Sequence, residues 1–157
     1  MPERENWNTA RAEQIIAAGK EREGPLLPIL HALVEAFGYV PEPAVPMVAE
    51  ALNLSRADVH GVVTFYHDFR REPAGEHVVK LCRAESCQAA GCEALADHLI
   101  EKLGVGFGET STDGRITFEA VYCLGLCSIS PAAMIDGRLV GRLDVKRLDR
   151  ALEEVVR

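Results

Sequence analysis

Four soft donors stand in two close pairs: Cys82 and Cys87, spaced C-x4-C, and Cys123 and Cys127, spaced C-x3-C. The chain has no other obvious catalytic apparatus. A pair on one loop can aim two thiolates at one point, and two such loops can enclose a metal centre. Iron bound to sulfide favours thiolate ligands, and a binuclear iron–sulfur cluster takes four of them, two per iron. The count and the pairing therefore favour a four-thiolate iron–sulfur site. Structural zinc would also take four cysteines, but typically on C-x2-C knuckles. Disulfide exchange of the thioredoxin kind calls for a C-x-x-C that is absent. Cysteines simply buried in a core are common, yet seldom clustered twice at strand ends. A zinc-stabilised assembly module and plain core cysteines remain the alternatives at this level.

Cys92 repeats the C-x4-C spacing from Cys87, so spacing alone leaves Cys82 and Cys92 as rivals. Cys82 directly follows a predicted strand, as Cys123 does, and on that ground it is the expected ligand. Cys92 opens a predicted helix and is expected to pack. Gly125, between Cys123 and Cys127, lets backbone approach closely and offers nearby N–H groups to the sulfurs.

The elements that must position these residues begin where the hydrophobic period changes. His77 to Leu81 is a β-branched run leading into Cys82, and Ile116 to Tyr122 is a second leading into Cys123. Between them Cys92 to Leu103 predicts an amphipathic helix with Leu95, Leu99 and Leu103 on one face, followed by a glycine-rich loop. Ala132 to Val140 predicts a hairpin turning at Asp136-Gly137. A closing helix is expected from Asp144 through Leu148 and Leu152 to Val155. Strand, helix, strand, hairpin, helix is an α/β layer compatible with a small thioredoxin-like sheet. Sites in open α/β sheets usually lie at the carboxyl ends of strands, where both pairs are placed.

The first half predicts helices instead. Ala10 to Lys20 is a first helix, with Gly24 punctuating its end. Pro25 opens a second, in which Leu26, Leu30, Leu33, Val34 and Phe37 recur at helical spacing before Gly38. Val45, Val48, Ala49 and Leu52 outline a third, with Pro46 tolerable only in its first turn. Ser55 followed by Asp58 is a capping box with Asp in place of Glu, opening a fourth through Val59, Val62 and Val63. The composition shift at Arg70 to Gly75 sets the expected boundary: a helical domain over residues 1–74 and a sheet domain over residues 75–157.

Among the 157 residues 48% are apolar, enough for a real core, and no stretch approaches a membrane span. The formal charge of −7 argues against a phosphate-binding surface and hence against nucleic acid. Val48 to Val63 has the outline of a helix-turn-helix, but its second helix offers Arg56 and His60 as almost its only base-reading side chains. Gly104 to Gly108 lacks the third glycine of a dinucleotide loop and follows a helix instead of a strand. The histidines are dispersed, with His60 and His67 expected on a helix near an interface. The charged opening Met-Pro-Glu-Arg-Glu-Asn-Trp lacks a secretory apolar run, so a cytoplasmic location with reduced thiols is expected.

On LLPIL, GYVP, VVTFYHDF, the C-x4-C pair and CLGLCSISPA, the chain resembles a known family across nearly its whole length. That family is the small thioredoxin-like [2Fe-2S] subunit of NADH-quinone oxidoreductase (complex I), with relatives in NAD-linked hydrogenases and formate dehydrogenases. Through ALNLSRADVHGVVTFYHDF and PAGEHVVKLCRAESC it looks most like the gamma subunit of cytoplasmic, molybdenum-containing, NAD-dependent formate dehydrogenase. The resemblance implies an N-terminal helical bundle followed by a thioredoxin-like [2Fe-2S] ferredoxin domain. It implies one [2Fe-2S] cluster on Cys82, Cys87, Cys123 and Cys127, with Cys92 outside the motif. FMN and NAD would sit on a flavoprotein partner, and a molybdenum cofactor on a larger iron–sulfur catalytic subunit. The chain alone would have no activity and no membrane insertion. Its helical half would supply much of the contact with the flavoprotein. The Thr64-Phe65-Tyr66-His67 stretch is expected at or near contact with another surface, either this chain's own cluster domain or that flavoprotein.

Overall fold

The computed structural model describes residues 5–154. The first four residues, part of the charged opening, and Val155, the expected end of the closing helix, lie outside the described residues. The chain divides between Pro73 and Ala74 into two compact units.

The first unit is four helices: α1 (Thr9–Gly19), α2 (Leu26–Phe37), α3 (Ala44–Leu52) and α4 (Arg56–Phe65). Helix α1 ends at Gly19 with Lys20 as its cap, the Lys20 N–H still donating to Ile16 O, and α2 packs closely against Gly19. A Cβ on Gly19 would come within 2.5 Å of Ile29 Cγ1. Ile29, Leu30, Leu33 and Phe37 form one buried stripe, closed by Ala12, Ile16, Val48, Val59, Val63 and Phe69. Ser55 and Asp58 make the reciprocal box: Asp58 N–H donates to Ser55 Oγ and Ser55 N–H to Asp58 Oδ2, both at 3.1 Å. In the segment with the helix-turn-helix outline, Val48, Ala49, Val59 and Val63 face the core, while Arg56 and His60 are exposed.

The second unit holds a five-stranded mixed sheet, in the order β2-β3-β1-β4-β5. The strands are β1 (His77–Cys82), β2 (Glu109–Thr110), β3 (Ile116–Val121), β4 (Ala133–Ile135) and β5 (Arg138–Val140). Strands β1 and β3 are parallel with His77 opposite Ile116 and Cys82 opposite Val121. Strand β4 pairs antiparallel with β1 and with β5, and β2 antiparallel with β3. Asp136 and Gly137, at φ 48° and 84°, supply the two positive angles of a type I′ hairpin turn. Helices α5 (Glu85–Ala89), α6 (Cys92–Leu103) and α7 (Val145–Glu153) complete the unit. Val79 and Leu81 of β1 and Ile116 and Phe118 of β3 share a core with Leu95 and Leu99 of α6 and Leu148 and Leu152 of α7. Alternation puts those strand residues on one face, so both helices cover that face.

Helices α6 and α7 are also tied by charge. Asp149 Oδ1 lies 2.8 Å from His98 Nε2 and 2.6 Å from Lys102 Nζ. Hydrogen bonds first from His98 and then from Lys102 hold the Asp149 carboxyl below its ordinary value of 3.8. A depressed carboxyl contributes stability above the unfolded value and loses it as the group is protonated. The thermal midpoint of Asp149→Asn is therefore expected below that of the native chain near neutral pH. The difference should narrow as pH falls below about 3.8, and a gap unchanged across that range would contradict the linkage.

Candidate metal centre

Because β1 and β3 are parallel neighbours in register, their carboxyl ends lie side by side and both cysteine loops start from the same end of the sheet. Cys82 is the last residue of β1 instead of the first beyond it, held by its N–H to Ala132 O at 3.0 Å. Arg83 N–H, bonded to Val121 O at 2.8 Å, continues the pairing one residue further. Strand β3 stops at Val121, so Tyr122 lies in the loop with 75% of its surface exposed.

Cys87 comes from α5, which Glu85 to Ala89 form directly after the strand. Cys127 opens a short 3-10 turn, Cys127–Ile129. The two loops are stitched together: Ser86 Oγ donates to Cys127 O at 2.9 Å and lies 3.0 Å from Ser130 Oγ. Cys82 and Cys87 are buried, whereas Cys123 and Cys127 are exposed, their sulfurs 3.7 Å apart.

The backbone is bent to serve these sulfurs. Cys123 sits at φ 102°, a region that costs a residue with a side chain of order 1–3 kcal/mol and persists only where its surroundings enforce it. Gly125 follows at φ 76° and donates its N–H to Cys123 Sγ at 3.4 Å. Burial pushes the Cys82 thiol up, but backbone N–H groups of Ala84, Cys123 and Leu124, with the Cys87 thiol, outweigh it and bring Cys82 below its ordinary value. Burial and its own donation to Cys82 push Cys87 up to about 11. Cys127 is raised by donating to Cys123 and by that neighbour's charge. In the first pair, Cys82 is thus the electron-rich acceptor and Cys87 its proton donor.

Among the described residues no three His, Cys, Asp or Glu side chains converge as a single metal ion would require. The thiols gather two by two, and backbone donors from the second loop reach a sulfur of the first. The donor set fits a binuclear cluster, in which each iron takes two protein thiolates and N–H groups satisfy the sulfurs. Cys92 belongs to neither loop. It is fully buried, packed with Cys82, Cys87 and Ala132 and 4.0 Å from Glu93 Oε1. Burial pushes its thiol up.

Several contributors had no signal in the sequence. Helix α5 is one, the Ser86–Ser130 stitch another, and Gly141 a third. A Cβ at Gly141 would lie 2.6 Å from Ile129 Cδ1 and 2.8 Å from Ile129 O, directly behind the Cys127 turn. Overpacking of this kind costs about 1–3 kcal/mol. Gly141→Ala is expected to lower the unfolding midpoint and to reduce iron retained per chain, measured by denaturation and metal analysis.

Fold and site together define a thioredoxin-like α/β domain, preceded by a helical unit, that presents paired thiols at the carboxyl ends of adjacent parallel strands. The chain belongs to the thioredoxin-like [2Fe-2S] ferredoxin family, which it matches over residues 12–156. The family implies one [2Fe-2S] cluster. The chain is 38% identical over 119 residues to the E-type component of NADH-quinone oxidoreductase from Pseudomonas aeruginosa, covering 76% of this chain and 72% of the relative. It is 37% identical over 147 residues to an E-type component of the same enzyme from Rhizobium meliloti, covering 92% and 88%. Identity is 28% over 141 residues to the HndA component of the NADP-reducing hydrogenase of Solidesulfovibrio fructosivorans, covering 90% and 82%. Among solved structures, an air-oxidised NAD+-reducing [NiFe]-hydrogenase superposes with a TM-score of 0.69 at 28% identity. That match takes in 82% of this chain and only 22% of the hydrogenase chain.

Proposed function

We propose that this chain is the [2Fe-2S] electron-transfer subunit of a multi-subunit NAD-linked oxidoreductase, with Cys82, Cys87, Cys123 and Cys127 as the cluster ligands. The observation that carries it is the gathering of four thiols, two by two, at one end of β1 and β3. When bound, such a cluster exchanges single electrons, whereas nicotinamide exchanges a hydride, so a flavin has to stand between them. That FMN, with NAD, belongs on a flavoprotein partner.

The chain's own residues perform three tasks. Cys82 and Cys87 anchor the inner side, away from water. The N–H groups of Ala84, Cys123, Leu124 and Gly125 stabilise negative charge on sulfur. The exposed Cys123 and Cys127, with Tyr122 beside them, form the side through which an electron reaches the surface.

The helical unit exposes Phe65 at 73% and Tyr66 at 44%, with Leu54 nearby in sequence, as expected of a surface that a partner covers. Among the described residues no helix is long and apolar enough to cross a membrane. The names of the relatives favour a parent complex of the complex I kind or of the NAD- or NADP-reducing hydrogenase kind. The finer reading is NAD-dependent formate dehydrogenase, whose larger subunit would carry molybdenum and iron–sulfur centres. It is supported by the sequence likeness of residues 51–69 and 73–87.

The isolated chain should contain two irons and two acid-labile sulfides and, once reduced anaerobically, give a rhombic one-electron resonance. Stoichiometric zinc without sulfide would replace this reading with the zinc-stabilised module. A flavoprotein should copurify with the tagged chain from its native source. Formate, hydrogen or quinone activity of the recovered complex then identifies the parent enzyme.

A further inference from the structure

Arg83, immediately after Cys82, is fixed from four directions. Its N–H is held by Val121 O at 2.8 Å and its carbonyl by Gln88 Nε2 at 2.9 Å. Its guanidinium forks onto Glu93, with Nε to Oε1 at 3.2 Å, Nη2 to Oε1 at 2.9 Å and Nη2 to Oε2 at 2.8 Å. Its Cζ lies 4.8 Å from the centre of the Phe107 ring, which stacks at 4.4 Å on buried Phe118 of β3. Such a planar, doubly bonded and stacked cation keeps its place far better than a free lysine would. The carboxylate is as well placed. Glu93 Oε1 lies 4.0 Å from Cys92 Sγ, and Cys92 packs directly against Cys82 and Cys87. A full positive and a full negative charge are therefore locked together beside the buried thiol pair.

From this geometry we infer that the Arg83–Glu93 pair is a charge-compensated fixture that sets the reduction potential of the bound cluster. The inference rests on the proposed cluster assignment. Reduction adds one negative charge at the centre, so a nearby cation favours the reduced form and a nearby anion opposes it. Intact, the pair nearly cancels itself. Removing one partner leaves the other's charge uncompensated, and the two removals must act in opposite directions. A role confined to packing could not do this. The side chains are 29% and 52% exposed, so salt must weaken the effect.

The test is potentiometric titration of the cluster-loaded full chain, followed by its resonance signal, in low and high salt. Arg83→Gln should lower the potential and Glu93→Gln should raise it. Each is expected to change the one-electron equilibrium severalfold, up to about tenfold, or about 59 mV. The double variant should return close to the native value, as should Arg83→Lys, which keeps the charge and loses the fork. Both single shifts should shrink in high salt. Shifts of the same sign, no shift, or shifts indifferent to salt would overturn the inference while leaving the cluster assignment intact. If Arg83→Gln does not retain its cluster, the Glu93→Gln shift and its salt dependence decide. Absence of iron and sulfide from the native chain would instead overturn the cluster assignment itself.

Discussion

Serine at Cys82, Cys87, Cys123 or Cys127 is expected to abolish or strongly deplete the cluster, whereas serine at Cys92 leaves it in place. In the proposed assignment each of the four would supply half of the protein ligation of one iron, and the hydroxyl of serine is a harder, poorer donor to iron than thiolate. Cys92 stands outside the hydrogen-bonded loops, although it packs against Cys82 and Cys87. Its replacement places a shorter hydroxyl among Cys82, Cys87 and Ala132, which costs about 1–3 kcal/mol unless the Glu93 carboxylate accepts its hydrogen bond. Cys92→Ser should therefore show full iron and sulfide content and a lowered unfolding midpoint. Depletion in Cys92→Ser together with full content in Cys82→Ser would exchange the roles of the two residues.

Phe118→Ala carries the largest expected loss of stability. Phe118 is fully buried on the strand that leads to Cys123, and it stacks on Phe107, which in turn lies under Arg83. Truncating a buried phenylalanine costs about 3–5 kcal/mol, a large share of the roughly 5–15 kcal/mol that holds a typical domain together. Urea unfolding should show the loss directly, together with weaker cluster retention. Phe65→Ala is the contrasting case. Phe65 is exposed, so its truncation should change stability by no more than about 0.5 kcal/mol. Any deficit should instead fall on binding to the proposed flavoprotein partner. A destabilised Phe65→Ala chain with undiminished partner binding would remove the exposed aromatic from the proposed interface.

Much of this was legible in residue pattern. The period change at His77, the two strands that end beside cysteines and the Asp136-Gly137 turn all follow from local chemistry, as does the Ser55–Asp58 cap. Each depends on neighbours in sequence. What stayed hidden depends on neighbours in space. Helix α5 spans only Glu85–Ala89, too short to display a helical period, yet it delivers Cys87. Strand β2 is two residues long and exists through its pairing with β3. The left-handed backbone of Cys123 leaves no mark in composition, because cysteine has no preference for that conformation. Nor does any spacing announce that Gly141 must be small, since Ile129 defines that requirement from a different loop.

The parallel pairing of β1 with β3 also has a consequence in time. Both cysteine loops hang from that pair, and its two strands are joined through α5, α6 and β2. Non-local parallel pairing has to meet the entropy of closing that long connection before its contacts repay it, so it forms late and slowly. Until then the first and second thiol pairs belong to unconnected stretches of chain. A nascent polypeptide would thus spend its vulnerable interval with reactive sulfurs apart and unshielded. If the four cysteines hold one cluster as proposed, the two halves of the site can act on it together only after β1 has paired with β3.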